Sequence, residues 1–146
     1  MKHLHFGPLK LRKSFALKVR RGEDKLALVE VGMIDWERVA ELQSEIGADG
    51  FGEVLELFLD EVEGVVMRLG QRLEKLEDDL HFLKGSAWNL GFRSFGAMCQ
   101  TGERMAAAGM AAQVDIPAVL ECYGESKQIF MGRVHEFCDV DISNVA

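Results

Sequence analysis

The sequence predicts an all-α protein, an up-and-down bundle of antiparallel amphipathic helices. Three observations carry that prediction. Apolar residues over 35–137 recur at three- and four-residue steps, the period of helices buried along one face. The 146 residues contain two prolines, Pro8 and Pro117, so little interrupts long helices. The breaks between periodic segments are short and rich in glycine, which sets neighbouring helices antiparallel. The length suits one domain with its own core.

Charge divides the chain before its helices do. Residues 1–33 hold eight Lys and Arg against three acidic residues, a balance of +5; the whole chain carries −7, which leaves −12 for 34–146. A boundary near Gly32–Asp35 therefore separates a basic N-terminal extension (1–33) from an acidic, helix-rich body (34–146). Within the extension Phe15, Leu17 and Val19 alternate with Ala16, Lys18 and Arg20, and Arg21-Gly22-Glu23-Asp24 forms a turn before Leu26 and Leu28. That pattern fits a β-hairpin over about 14–31, which would have to lean on the body, since an isolated hairpin is marginal in water. The extension reads either as a basic docking arm for an acidic partner or as a solvated appendage.

In the body, Asp35 is placed to cap a first helix that runs to about Ile46, with Val39 and Leu42 inward. Gly47-Ala48-Asp49-Gly50 breaks it. A second helix carries Phe51, Leu55, Phe58, Val62, Val65 or Val66, Leu69 and Leu73. Its glycines, Gly52, Gly64 and Gly70, leave it dependent on tertiary packing. The third helix spans about 76–90, with Leu76, Leu80, Leu83, Ala87 and Leu90 in one stripe and Gly91 as its stop. A fourth turns Phe92, Phe95, Met98, Cys99, Gly102 and Met105 inward and closes at Ala106-Ala107-Ala108-Gly109. The last starts at a cap on Asp115, with Pro117 in its first turn, and carries Leu120, Tyr123, Phe130, Val134 and Phe137.

The third helix is the informative one. At 100° per residue its five apolar positions fall within a stripe about 80° wide, and His81 lies about 140° from the centre of that stripe. By the same rule Gly85 lies about 180° away, Trp88 about 120° and Lys84 about 80°. His81 is therefore an outward residue, one turn from Lys84 and Gly85. Glycine in mid-helix costs about 1 kcal/mol against alanine, and a tryptophan on a face expected to be polar is equally out of place. A helix that receives another protein's surface explains both. Gly85 removes bulk beside His81, Trp88 offers an apolar anchor, and Lys84 supplies a cation suited to a phosphoryl group. An imidazole, with an unperturbed pKa of about 6.5, presents a neutral nucleophilic nitrogen near pH 7. Its phosphorylated form keeps a reactive N–P bond.

The run His81-Phe82-Leu83-Lys84-Gly85-Ser86-Ala87-Trp88-Asn89-Leu90-Gly91 resembles the signature of histidine-containing phosphotransfer (HPt) domains, the carriers of phosphorelays. That signature reads His-x-Leu-Lys-Gly-Ser-Ala-x-Asn-Leu-Gly, and each of its fixed positions is matched. The helix layout agrees over residues 34–140, and the extension lies outside the likeness. The resemblance implies an antiparallel four-helix bundle with an extra N-terminal helix. It implies His81 as phosphoacceptor through its outer ring nitrogen, Lys84 beside the phosphoryl group, and Gly85 as clearance for an incoming receiver domain. Ser86 and Asn89 would serve the helix and its packing. Leu80 stands where the family often has alanine before the histidine, which adds bulk to the core and leaves the outer face unchanged. Phe82 is expected to be partly buried or to join the docking surface. Asp78, with Glu77 and Asp79, forms a solvated first turn favoured by the helix dipole and suited to influencing partner choice.

The resemblance further implies a carrier without kinase or phosphatase machinery of its own. It needs no cofactor; Mg2+ is expected on the partner receiver domain. The implied partners are the receiver domains of a hybrid histidine kinase and of a response regulator. The acidic balance argues against general nucleic-acid binding, and no apolar run approaches the roughly 20 residues of a membrane span. With no secretory signal and three widely spaced cysteines (Cys99, Cys122 and Cys138), a reducing cytoplasmic setting is expected, and the acidic balance of the bundle suggests a monomer. No metal site is expected either: His3 and His5 sit in the extension, and His135 with Cys138 lacks further ligands. Two other readings are a detached substrate domain of a chemotaxis-type kinase, against which the lack of an ATP-binding domain in 146 residues counts, and an unphosphorylated adaptor that binds receivers through the same face. Receiver binding that persists in His81→Ala without phosphoryl transfer marks the adaptor.

Overall fold

The computed structural model describes residues 32–138. Among these residues it is all-α, with five helices: α1 (Trp36–Ile46), α2 (Ala48–Arg68), α3 (Leu76–Leu90), α4 (Arg93–Ala107) and α5 (Ile116–Arg133). Single 3₁₀ turns precede α3, follow α4 and extend α5. The hairpin expected over 14–31 lies outside the described residues.

The local chemistry explains most boundaries. The Asp35 carboxylate accepts from the backbone N–H groups of Glu37 and Arg38 and so caps α1. Asp115 does the same for α5 through Ala118 N–H at 3.1 Å, with Pro117 in the first turn. Gly91, at φ 86°, closes α3: its N–H reaches Trp88 O and the N–H of Phe92 reaches Ala87 O at 2.8 Å, the paired bonds of a glycine-terminated helix.

Three expectations from the sequence are corrected. The break after α1 is Gly47 alone, at φ 99°, and α2 already begins at Ala48. A single left-handed glycine reverses the chain, and Asp49 suits the positive end of the new helix. Helix α2 stops at Arg68, because Gly70 takes φ 85°; Leu73, expected on the apolar face, is 48% exposed in the following turn. In α5 the inward stripe is Val119, Cys122, Tyr123, Ser126 and Phe130, while Leu120 is 37% exposed. The buried face is thus turned by about 100° at the start of the helix, one residue's rotation.

All five helices contribute to one hydrophobic core. Met33 and Ile34 belong to it, and Ile34 pairs with Phe92 in an isolated bridge. An aromatic cluster joins α1 to α5 and the turn that extends it: Trp36 stacks on Phe130 and Phe137 at 5.9 and 5.5 Å, and Phe92 packs edge-on against Phe130 at 5.1 Å. Arg38 is fully buried and donates from Nε to the Asn89 carbonyl at 3.0 Å, fastening α1 to the C-terminal turn of α3. Helices α3 and α4 make the most extensive contact of any pair. Two glycines of α4 permit it. A Cβ on Gly96 would lie 3.3 Å from Ala87 and from the Trp88 ring, and one on Gly102 would lie 2.9 Å from Leu80.

Candidate functional site

The close α3–α4 contact positions the site. Leu80 and Leu83 are fully buried on the inner side of α3, so His81, between them in sequence, is turned outward. Its side chain is 68% exposed. The ring does not stand alone. Nδ1 lies 2.7 Å from Oε2 of Glu103 on α4, and Lys84 Nζ lies 2.8 Å from Oε1 of the same carboxylate. One glutamate, 18% exposed, thus contacts both His81 and Lys84 of α3. The lysine contact is an ion pair that approaches off the hydrogen-bonding angle, since Oε1 makes no hydrogen bond that meets the usual geometry.

The electrostatics set the state of the ring. Burial pushes the Glu103 carboxyl up, but the contacts from Lys84 and His81 outweigh burial and hold it below the usual glutamate range. Glu103 is therefore ionised at neutral pH and can only accept. The nitrogen facing it must carry the proton, so Nδ1–H donates to Oε2. In the neutral imidazole the other nitrogen, Nε2, then has a free lone pair. Nε2 is the outer, nucleophilic atom of an exposed side chain.

The remaining residues singled out from the sequence fall into two groups. Gly85 is exposed, and a Cβ built on it meets nothing within 4 Å. No packing among the described residues requires glycine there. Asp78 is exposed one turn before His81, whereas its neighbour Asp79 pairs with Arg68 of α2 at 3.4 Å. Trp88, expected as an exposed ring, is instead half-buried: the missing side chain of Gly96 lets the ring lie against α4. Phe82 is half-buried and packs on the core. Ser86 and Asn89 are buried, and the Asn89 carbonyl receives Arg38.

Glu103 is the residue that sequence reasoning missed. It follows the inward Gly102 and lies four residues after the buried Cys99, on the flank of the α4 stripe. A carboxylate at such a flank faces the neighbouring helix, which is the signal available in the sequence. Among the described residues no group of three or more His, Cys, Asp or Glu side chains is arranged to hold a metal ion. No described helix is long and apolar enough to cross a membrane.

Residues 53–129 match the family described as Hpt domain. The phosphorelay intermediate protein YPD1 of Candida albicans is 35% identical over 86 residues, an alignment covering 53% of this chain and 47% of that protein. The aligned part of the chain thus spans about half the length of this curated relative. No solved structure matches the chain significantly.

Proposed function

This chain belongs to the Hpt domain family, and on that premise we propose that it is a histidine phosphotransfer protein of a two-component phosphorelay. His81 accepts a phosphoryl group from a receiver-domain aspartate of a hybrid histidine kinase and passes it to a response regulator. The observation that carries this reading is the Nδ1–Glu103 contact at 2.7 Å, which leaves Nε2 bare on a side chain 68% exposed.

The step balances without a base on this protein. The Nε2 lone pair attacks phosphorus, the P–O bond to the receiver aspartate breaks, and the carboxylate departs. Nε2 has no proton to lose, and Nδ1 keeps its own against Glu103. Lys84, 2.8 Å from Glu103, stands one turn from His81 and adds a cation beside the incoming phosphoryl oxygens. Gly85 leaves space over the helix for the receiver, which a methyl group would occupy. Phe82, Trp88 and Asp78 border that docking face. The receiver supplies the aspartate and Mg2+, and this chain acts as carrier with no kinase or phosphatase site and no cofactor of its own.

In this reading α2–α5 form an antiparallel up-and-down four-helix bundle, α1 is the extra N-terminal helix, and residues 34–146 are the working body behind a basic extension. The protein works as a cytoplasmic monomer, with receiver domains rather than nucleic acid or membrane as partners. The experiment is labelling by a phosphorylated receiver domain. Wild type takes up acid-labile, base-stable phosphate and His81→Gln takes up none. Full labelling of His81→Gln would sink the assignment.

A further inference from the structure

The role of Glu103 does not end when His81 has accepted its phosphoryl group. Attachment at Nε2 leaves Nδ1 as the remaining ring nitrogen, and Glu103 Oε2 lies 2.7 Å from it. The new group lies on the far side of the ring, so this contact need not break. We propose that Glu103 keeps the phosphorylated ring of His81 protonated at Nδ1 and thereby sets how readily the phosphoryl group leaves. The inference rests on His81 being the phosphoacceptor.

The balance of the leaving step shows why the proton matters. The Nε2–P bond breaks, its electron pair returns to Nε2, and a P–O bond forms to the acceptor, a receiver carboxylate or water. With a proton on Nδ1 the departing ring is neutral imidazole. Without it the ring would depart as imidazolate, a far stronger base and a poorer leaving group. The Nδ1 proton stays in place throughout, and a water acceptor releases its own proton to solvent.

The surroundings single out Glu103 for this task. On α3 the charged neighbours are Glu77 and Asp78, both exposed one turn before His81, and Lys84 one turn after it. Asp79 is engaged by Arg68 of α2. On α4 the exposed Arg104 follows Glu103. The carboxylate in contact with the ring is that of Glu103, and at 18% exposure its charge is poorly screened by water. Lys84 on the other oxygen keeps it ionised.

The test uses the full chain charged with phosphoramidate, a small donor with its own N–P bond, and phosphorus NMR to identify the nitrogen carrying phosphate. Release of phosphate is then followed from pH 5 to 10 for wild type, E103Q and E103D. Release is fast when the ring is protonated and slows above a midpoint pH. Glutamine removes the charge at nearly constant shape, so the midpoint of E103Q is expected about one pH unit lower or more. Well above both midpoints the variant phosphoprotein then survives about tenfold longer, the factor that one pH unit represents. E103D keeps the charge on a shorter arm and falls between. If E103Q is charged on Nδ1 instead, E103D carries the comparison, and its midpoint must still fall below that of wild type. An unchanged midpoint in the variant so compared overturns the proposal. Wild type that is charged on His81 but discharges to no receiver overturns the carrier reading instead, and leaves the comparison of midpoints intact.

Discussion

Replacing Gly85 with alanine is expected to move stability and function in opposite directions. Gly85 lies ten residues into the fifteen of α3, is exposed, and has open space where a Cβ would go. Alanine is better than glycine in a helix interior by about 0.8–1 kcal/mol, because it restricts the unfolded chain and shields the backbone. With nothing to strike, the substitution keeps that whole gain. For a domain of this size about 1 kcal/mol raises Tm by roughly 4 °C. In urea the midpoint should rise at constant m, followed by far-ultraviolet circular dichroism at pH 7. The same methyl group stands one turn from His81, where a receiver must bring its aspartate within reach of Nε2. A displacement of about 1 Å in such a pair costs up to a hundredfold, so kcat/KM for transfer from a phosphorylated receiver should fall by about ten- to a hundredfold. Charging by phosphoramidate, which needs no docked partner, should be unchanged. A lower urea midpoint would show that the open geometry at Gly85 is wrong. A higher midpoint with undiminished transfer would show that the space is not kept for a partner.

Two further outcomes follow from the same structure. Gly91→Ala should destabilise by at least about 2 kcal/mol: φ 86° is strained for an L side chain, and the new Cβ would lie 2.8 Å from the Asp35 carbonyl oxygen. Urea unfolding checks this, and a wild-type midpoint would contradict the packing of Asp35 on Gly91. Glu103 has a lowered pKa in the folded protein, so its contribution to stability is present above the ordinary glutamate value of about 4.3 and is lost as pH falls through the lower folded value. Unfolding measured from pH 6 to 3 should therefore show a shallower acid loss in E103Q than in wild type, and equal slopes would contradict the pairing.

How much of this was legible in the sequence differs from helix to helix. Helix α3 was read with its boundaries, its stop at Gly91 and its outward His81, because a stripe of Leu76, Leu80, Leu83, Ala87 and Leu90 defines a face by periodicity alone. The start of α5 was read at its Asp115 cap, yet its inward face was not, since Val119 and Leu120 are both apolar and only the neighbouring helices choose between them. Gly47 and Gly70 show the same division. Composition marks a glycine as a place to turn, but whether it turns depends on what the flanking segments can bury.

The sequence by itself determined the helical class, the outward placement of His81 and the motif from His81 to Gly91 that names the family. Those properties reside within single helices, where spacing of three and four residues is enough. The tertiary structure decided which residues His81 meets. Glu103 lies twenty-two residues away in the chain, and it reaches Nδ1 because Gly96 and Gly102 let α4 close against α3. The same approach half-buries Trp88, which helical spacing alone leaves on the surface. Register between two helices is a property of their mutual packing, and no period within either one encodes it.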